Sequence, residues 1–255
     1  MDLLGRVVLI TGARRVGGAL ALLLAGRGAH VALTYRTSRA VIEHTAEQAR
    51  ALGVEALTLA ADLSRGDEAE GVVDRVIGHF GRLDALVNMA SIFERTPLES
   101  LAPADFDRMI ATNLATVYHV SVAAGRRMLR QAPLVAGQPL RGKIVSVGDW
   151  ATDRPYRDHL PYLVAKGALP TLTLALATEL APHVAVNLVQ PAMIDPPPDL
   201  APAEHAAILA ATPLARAGVP DDANRLILYF LEGSDFATGT CTRVDGGRFL
   251  GGGGG

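Results

Sequence analysis

Seven short apolar runs rich in β-branched residues punctuate the chain at regular intervals. They lie at Val7 to Ile10, Val31 to Thr34, Leu57 to Ala60, Leu86 to Asn88, Ile144 to Val147, Val184 to Val189 and Thr240 to Val244. Each is too short for a helix. Longer stretches with helical spacing separate them, at Gly18 to Arg27, Ala40 to Leu52, Glu68 to Phe80, Asp105 to Arg130, Leu163 to Leu180 and Asp222 to Leu231. Strands buried on both faces of a sheet read as unbroken apolar runs, and these do. Strand alternating with helix from end to end predicts an α/β fold, with parallel strands joined by crossover helices on both faces of one sheet.

Nothing in the 255 residues divides the chain: there is no repeat period and no Ser-rich linker. One domain over residues 1–250 is therefore expected, of a size that α/β folds reach. Two stretches break the rhythm. Residues 191–213 are rich in Pro and Ala, and Pro196-Pro197-Pro198 cannot continue a helix or a central strand, so a long surface excursion is expected there. Residues 251–255 are all glycine and read as a tail. The single cysteine, Cys241, excludes an internal disulfide framework and favours a reducing compartment. A net charge of −2 without a long basic run argues against nucleic acid or a membrane surface as partner. The longest apolar runs, such as Ala19 to Ala25, fall far short of the ~18 residues a spanning helix needs. Asp2 stands where a signal peptide would be basic, so cytoplasmic residence is expected.

The first strand runs into Thr11-Gly12-Ala13-Arg14-Arg15-Val16-Gly17-Gly18 and opens a helix. Glycines there let the backbone approach a pyrophosphate, whose charge the free amides and dipole at the helix start would stabilise. A plain strand-to-helix turn is the bland alternative, and the position in the first βα unit weighs against it. Tyr35-Arg36-Thr37-Ser38 after the second strand bears on the choice of dinucleotide. An NAD site would carry Asp or Glu there for the ribose hydroxyls, but the first acid is Glu43, already in the helix. Arg36, Thr37 and Ser38 instead offer donors to a 2′-phosphate, with Arg14 or Arg15 approaching from the glycine loop. NADPH is the expected cofactor.

Tyr162 and Lys166, four apart in a helical stretch, share one face. A phenol titrates near ~10, and a neighbouring cation such as Lys166 would favour its ionised form. Five tyrosines and two lysines make a chance Tyr-x-x-x-Lys a matter of roughly 4%. The seven histidines show no metal-ligand spacing, no metal is expected, and His159 reads as solvated.

These residues, together with Asp62-Leu63 after the third strand, Asn88-Met89-Ala90 after the fourth, Asn113 and Asp245-Gly246-Gly247, resemble the short-chain dehydrogenase/reductase family. The resemblance implies a Rossmann fold of about seven strands, a homodimer or homotetramer, and hydride transfer between a nicotinamide and a carbonyl, alcohol, imine or alkene. It carries over a cofactor site of Gly12, Arg14, Arg15, Val16, Gly17, Tyr35, Arg36, Thr37, Ser38, Asp62, Leu63, Asn88, Ala90, Ser91, Tyr162, Lys166, Pro191 and Ile194. Asn113 would hold a water chain behind Lys166. The loop is one residue shorter than usual, which leaves Gly17 or Gly18 as its last glycine.

Thirteen residues before Tyr162, where most members carry serine, stands Asp149. With Arg14-Arg15, Tyr35-Arg36-Thr37, Ser91-Ile92-Phe93 and Arg248, this resembles the pteridine reductase and dihydromonapterin/dihydrofolate reductase branch. That resemblance implies catalysis by Asp149, Tyr162, Lys166 and Asn113, and a pterin held by Arg15, Ser91, Phe93, Asp149 and Tyr162. Phe93 as an ordinary core aromatic is the alternative, Ser146 competes for the serine's role, and Trp150 is open between stacking and packing. The expected function is NADPH-dependent reduction of a pterin or dihydropterin. The alternatives are reduction of a ketone of 3-oxoacyl or sugar type, and a cofactor-binding regulator without turnover.

Overall fold

A computed structural model describes residues 1–196 and 200–251. Its seven strands are β1 (Val7–Thr11), β2 (His30–Tyr35), β3 (Ala56–Ala60), β4 (Ala85–Asn88), β5 (Gly142–Val147), β6 (Val184–Pro191) and β7 (Cys241–Val244). All pair in parallel, in the order β3-β2-β1-β4-β5-β6-β7. The order reverses between β1 and β4, and in open α/β sheets a ligand crevice forms outside the carboxyl ends of the strands at that switch point. The fold is a single Rossmann-type domain, and the apolar runs fall on the strands to within two residues.

Helices α1 (Val16–Ala25), α2 (Arg39–Ala51) and α3 (Gly66–Phe80) follow the first three strands. Next come α4 (Pro103–Ile110), α5 (Thr116–Met128), α6 (Leu160–Gly167), α7 (Leu169–Leu180), α8 (Pro202–Ala210) and α9 (Pro220–Leu228). Two cores sandwich the sheet. Leu20 and Leu24 of α1, Ile42 of α2 and Ile227 of α9 bury one face, with Val8, Ile10, Val31 and Leu33 beneath them. Val72 and Val76 of α3, Val120 and Ala124 of α5 and Leu180 of α7 bury the other, against Leu9, Leu86 and Ile144.

Two expectations change and one is refined. The stretch Asp105 to Arg130 is helical as expected, continuous from Pro103 to Met128, with a π turn at Ala111–Ala115 where α4 runs into α5. The excursion at 191–213 holds α8, with Pro202 in its first turn, where a missing N–H costs nothing, and Ala-rich turns behind it. Of the proline run, Pro197 and Pro198 lie outside the described residues, as do residues 252–255 of the glycine tail. Leu160–Leu180, spanning α6 and α7, is long and apolar enough to cross a membrane by length and composition. In this fold Leu169 and Thr173 are buried and α7 packs against β6, while Leu160, Val164 and Leu174 are exposed.

Candidate active site

The switch-point crevice is floored by close backbone approaches. Gly12 has a φ of 68°, and a β-carbon there would stand 2.5 Å from the Cα of Ala90, so only glycine satisfies both demands. Thr11 Oγ1 accepts from the amides of Met89 and Ala90, which ties the β4 loop to the glycine loop. A β-carbon on Gly17 would meet the Gly12 carbonyl oxygen at 2.8 Å, a harder clash than the 3.2 Å contact at Gly18, so Gly17 is the more constrained last glycine. Helix α1 starts at Val16 with no side chain capping it. This cradle fits a dinucleotide pyrophosphate.

At the end of β2, Tyr35 is half-buried while Arg36 and Thr37 are exposed, with Ser38 at the α2 N-cap. Neither Arg36 nor Arg14 makes an ion pair among the described residues, so both are available to a phosphate. Asp62 accepts from the hydroxyl and amide of Ser64, which with the nearby Arg36 and Arg65 holds its carboxyl below the usual range, and Leu63 beside it is buried. Arg15, expected at the cofactor phosphate and substrate, turns instead to the loop after β6, where it pairs with Asp195 at 3.0 Å. Pro191 ends β6 and Ile194 bridges to Gly218, so both border the crevice from that side.

Below the crevice, polar groups are locked into the scaffold. Asn88 is buried and donates to Ser121 and Ser146 at 2.9 and 3.1 Å. Ser146 thus lies buried within β5 as a partner of Asn88, not as the competing catalytic serine. Asn113 sits in the π turn and accepts from the hydroxyl of Ser91 at 2.6 Å and the amide of Ile92 at 3.1 Å. Its side chain therefore braces the β4 loop, and no direct bond joins it to Lys166.

Tyr162 and Lys166 project from α6 as the spacing predicts. Asp149 caps the turn of Trp150–Thr152 through the Ala151 amide at 2.8 Å, and its other oxygen accepts from the Tyr162 hydroxyl at 2.7 Å. Tyr156, which no sequence signal marked, adds a weaker bond to the same oxygen at 3.4 Å. Burial pushes the Asp149 carboxyl up, opposed by its hydrogen bonds and by Lys166. Lys166 donates to the Val147 carbonyl at 2.9 Å, and burial, offset in part by Asp149, pulls it down to about 8. The expected lowering of Tyr162 is reversed. Burial, and then the adjacent negative charge of Asp149, hold its phenol well above the ordinary value. The Tyr162 phenol thus favours its neutral form, and the Lys166 nitrogen stands 5.9 Å from its ring centre.

Phe93 is 59% exposed and meets the edge of the Tyr162 ring at 4.9 Å, so it belongs to the site and not to the core. His159, expected as solvated, is half-buried and stacks face to face on Phe93 at 4.4 Å. Asp158 sets that stack by pairing with Arg95 at 2.6 Å while its carbonyl accepts from the Thr96 amide. Among the described residues no cluster of metal-ligating side chains occurs.

A buried Tyr–Lys pair at the carboxyl edge of a parallel sheet, beside a glycine cradle at the switch point, defines a nicotinamide-dependent oxidoreductase. The comparisons agree and give the family. Residues 12–248 match the model of the enoyl-(acyl carrier protein) reductase family. The chain is 31% identical over 247 residues to the 3-oxoacyl-[acyl-carrier-protein] reductase of Staphylococcus aureus, covering 95% of this chain and 97% of that one. It is 32% identical over 251 residues to an uncharacterized oxidoreductase of Methylorubrum extorquens, covering 95% and 97%. A solved short-chain dehydrogenase/reductase from Serratia marcescens superposes with a TM-score of 0.87 at 30% identity, covering 97% of this chain and 99% of that one. This chain belongs to the short-chain dehydrogenase/reductase family.

Proposed function

We propose that this protein is an NADPH-dependent reductase of a ketone, of the 3-oxoacyl or sugar class. The observation that carries the acid–base part is the buried Tyr162 hydroxyl, held protonated next to Lys166. The names of the relatives support a ketone over the pterin expected from the sequence. NADPH is supported by exposed Arg36 and Arg14 and by the missing acid after β2. The dinucleotide, when bound in the Gly12 cradle, supplies the hydride. Tyr162 then gives its proton to the substrate oxygen, and the Lys166 cation stabilises the phenolate left behind. Asp149 stands where the family's serine would donate a second hydrogen bond. A carboxylate only accepts, and here it takes the Tyr162 hydroxyl at 2.7 Å, so Asp149 orients the phenol rather than the substrate oxygen. A cytoplasmic homo-oligomer completes the proposal.

One observation favours a second reading, reduction of a dihydropterin C=N bond. An ionised Asp149 2.7 Å from the Tyr162 hydroxyl can accept from a ring N–H, and the exposed Phe93 ring offers a flat heterocycle a stacking face. NADPH oxidation by the parent and by Asp149→Ser, with a 3-oxoacyl thioester and with dihydrobiopterin, separates the two. The ketone reading expects thioester turnover in the parent that Asp149→Ser keeps or raises. Turnover of dihydrobiopterin alone, lost in Asp149→Ser, would replace it with the pterin reading.

A further inference from the structure

The turn that carries Asp149 is fastened from the sheet. Asp149 is extended, with φ −149° and ψ 139°, and it bridges two elements. Its carboxyl takes the Ala151 amide at 2.8 Å and the Tyr162 hydroxyl on α6 at 2.7 Å, while its carbonyl is taken up by β6. There Gln190, 3% exposed, donates from Nε2 to the Asp149 carbonyl at 3.3 Å and to Thr152 Oγ1 at 3.2 Å. Thr152 spends its own proton on the same carbonyl at 3.2 Å, so both groups facing the Gln190 amide are acceptors and its NH₂ must point to them. A β-carbon on Gly148 would stand 3.3 Å from Gln190 Cγ, so the side chain lies along the backbone that leads into Asp149. Beside Gln190 in the β6–β7 register, Arg243 pairs with Asp153 and holds the far end of the turn.

A buried amide costs free energy unless it is hydrogen-bonded, and its strand neighbours Leu188 and Val189 show that β6 is otherwise filled by apolar side chains here. What Gln190 adds is a pair of donors aimed at one turn. We infer that Gln190 is a positioning residue of the active site: by pinning the main chain of Asp149 to β6 it keeps the carboxylate on the Tyr162 hydroxyl, and so fixes how that phenol is presented to the substrate. The catalytic consequence rests on the proposed reductase function, whereas the hold on Tyr162 can be read without turnover.

Gln190→Met keeps the volume and removes the donors, and Thr152→Val is the milder variant should the first fold poorly. The parent, both variants, Asp149→Ala and the double variant of Asp149→Ala with Gln190→Met are labelled with carbon-13 at tyrosine Cζ, and Tyr162 is assigned by its loss in Tyr162→Phe. The Tyr162 signal of Gln190→Met is expected to leave the parent position for that of Asp149→Ala, with Thr152→Val part of the way. With acetoacetyl thioester, kcat should fall about tenfold or more in Gln190→Met while KM for NADPH is unmoved. The double variant should be no slower than Asp149→Ala alone, because both changes break one connection. A residue that only stabilises the fold would leave the Tyr162 signal in place and multiply its loss with that of Asp149→Ala. Either of those results would overturn the assignment. A Tyr162 signal that moves as expected, in a protein whose parent turns over no thioester, would keep the role of Gln190 and overturn the ketone reading.

Discussion

At the scale of the residue, the proposed proton supply rests on the buried Tyr162 and Lys166. Removing the Tyr162 hydroxyl leaves substrate and cofactor surfaces intact, so Tyr162→Phe should lower kcat by ~10²–10⁴-fold with NADPH binding retained, as stopped assays and cofactor titration would show. Lys166 sets a pH limit. As pH rises past about 8 its ammonium deprotonates, the phenolate of Tyr162 loses its stabilising cation, and kcat should fall on that basic limb. A profile flat to pH 9.5 would remove Lys166 from that role. The Tyr–Lys spacing and Asp149 were legible in the sequence because four residues of helix and one strand end fix where they stand. Tyr156 and His159 were not, since both lie on an irregular loop whose course depends on the Arg95–Asp158 pair. Nor was the direction of the Tyr162 shift, which follows from burial and from the distance to Asp149, neither of which a sequence shows.

At the scale of the element, function lies at strand ends and helix starts. Gly12 combines a left-handed backbone with the Ala90 approach, so Gly12→Ala should cost about 1–3 kcal/mol, several degrees in melting temperature, and weaken cofactor binding. The proposed choice of NADPH rests on the turn after β2. Arg36→Asp should reverse a preference for NADPH over NADH, because a charge-assisted contact of ~1.5–3 kcal/mol is replaced by repulsion. Equal Michaelis constants for the two cofactors in the parent would contradict the phosphate role of Arg36. The strands were legible because burial on both faces leaves unbroken apolar runs. Helix α8 was hidden behind prolines that serve as a helix start, and the π turn at Ala111–Ala115 cannot be read from apolar spacing.

At the scale of the whole molecule, the sheet gathers its polar work at one edge and secures the opposite region with a buried cation. Lys143 at the start of β5 is 1% exposed, donates to the carbonyls of Phe230, Leu231 and Ser234, and pairs with Asp235 at 2.6 Å. Lys143→Met would leave those carbonyls unpaired and should lower stability by about 1–3 kcal/mol in chemical denaturation, with the Michaelis constant for NADPH unmoved. The active edge carries the central claim, that this family member reduces a ketone with NADPH through Tyr162. Steady-state NADPH oxidation with acetoacetyl thioester, run on the parent and on Tyr162→Phe, tests it most directly. The account predicts turnover in the parent that falls a hundredfold or more in Tyr162→Phe. No turnover in the parent, or turnover that Tyr162→Phe retains, would contradict it.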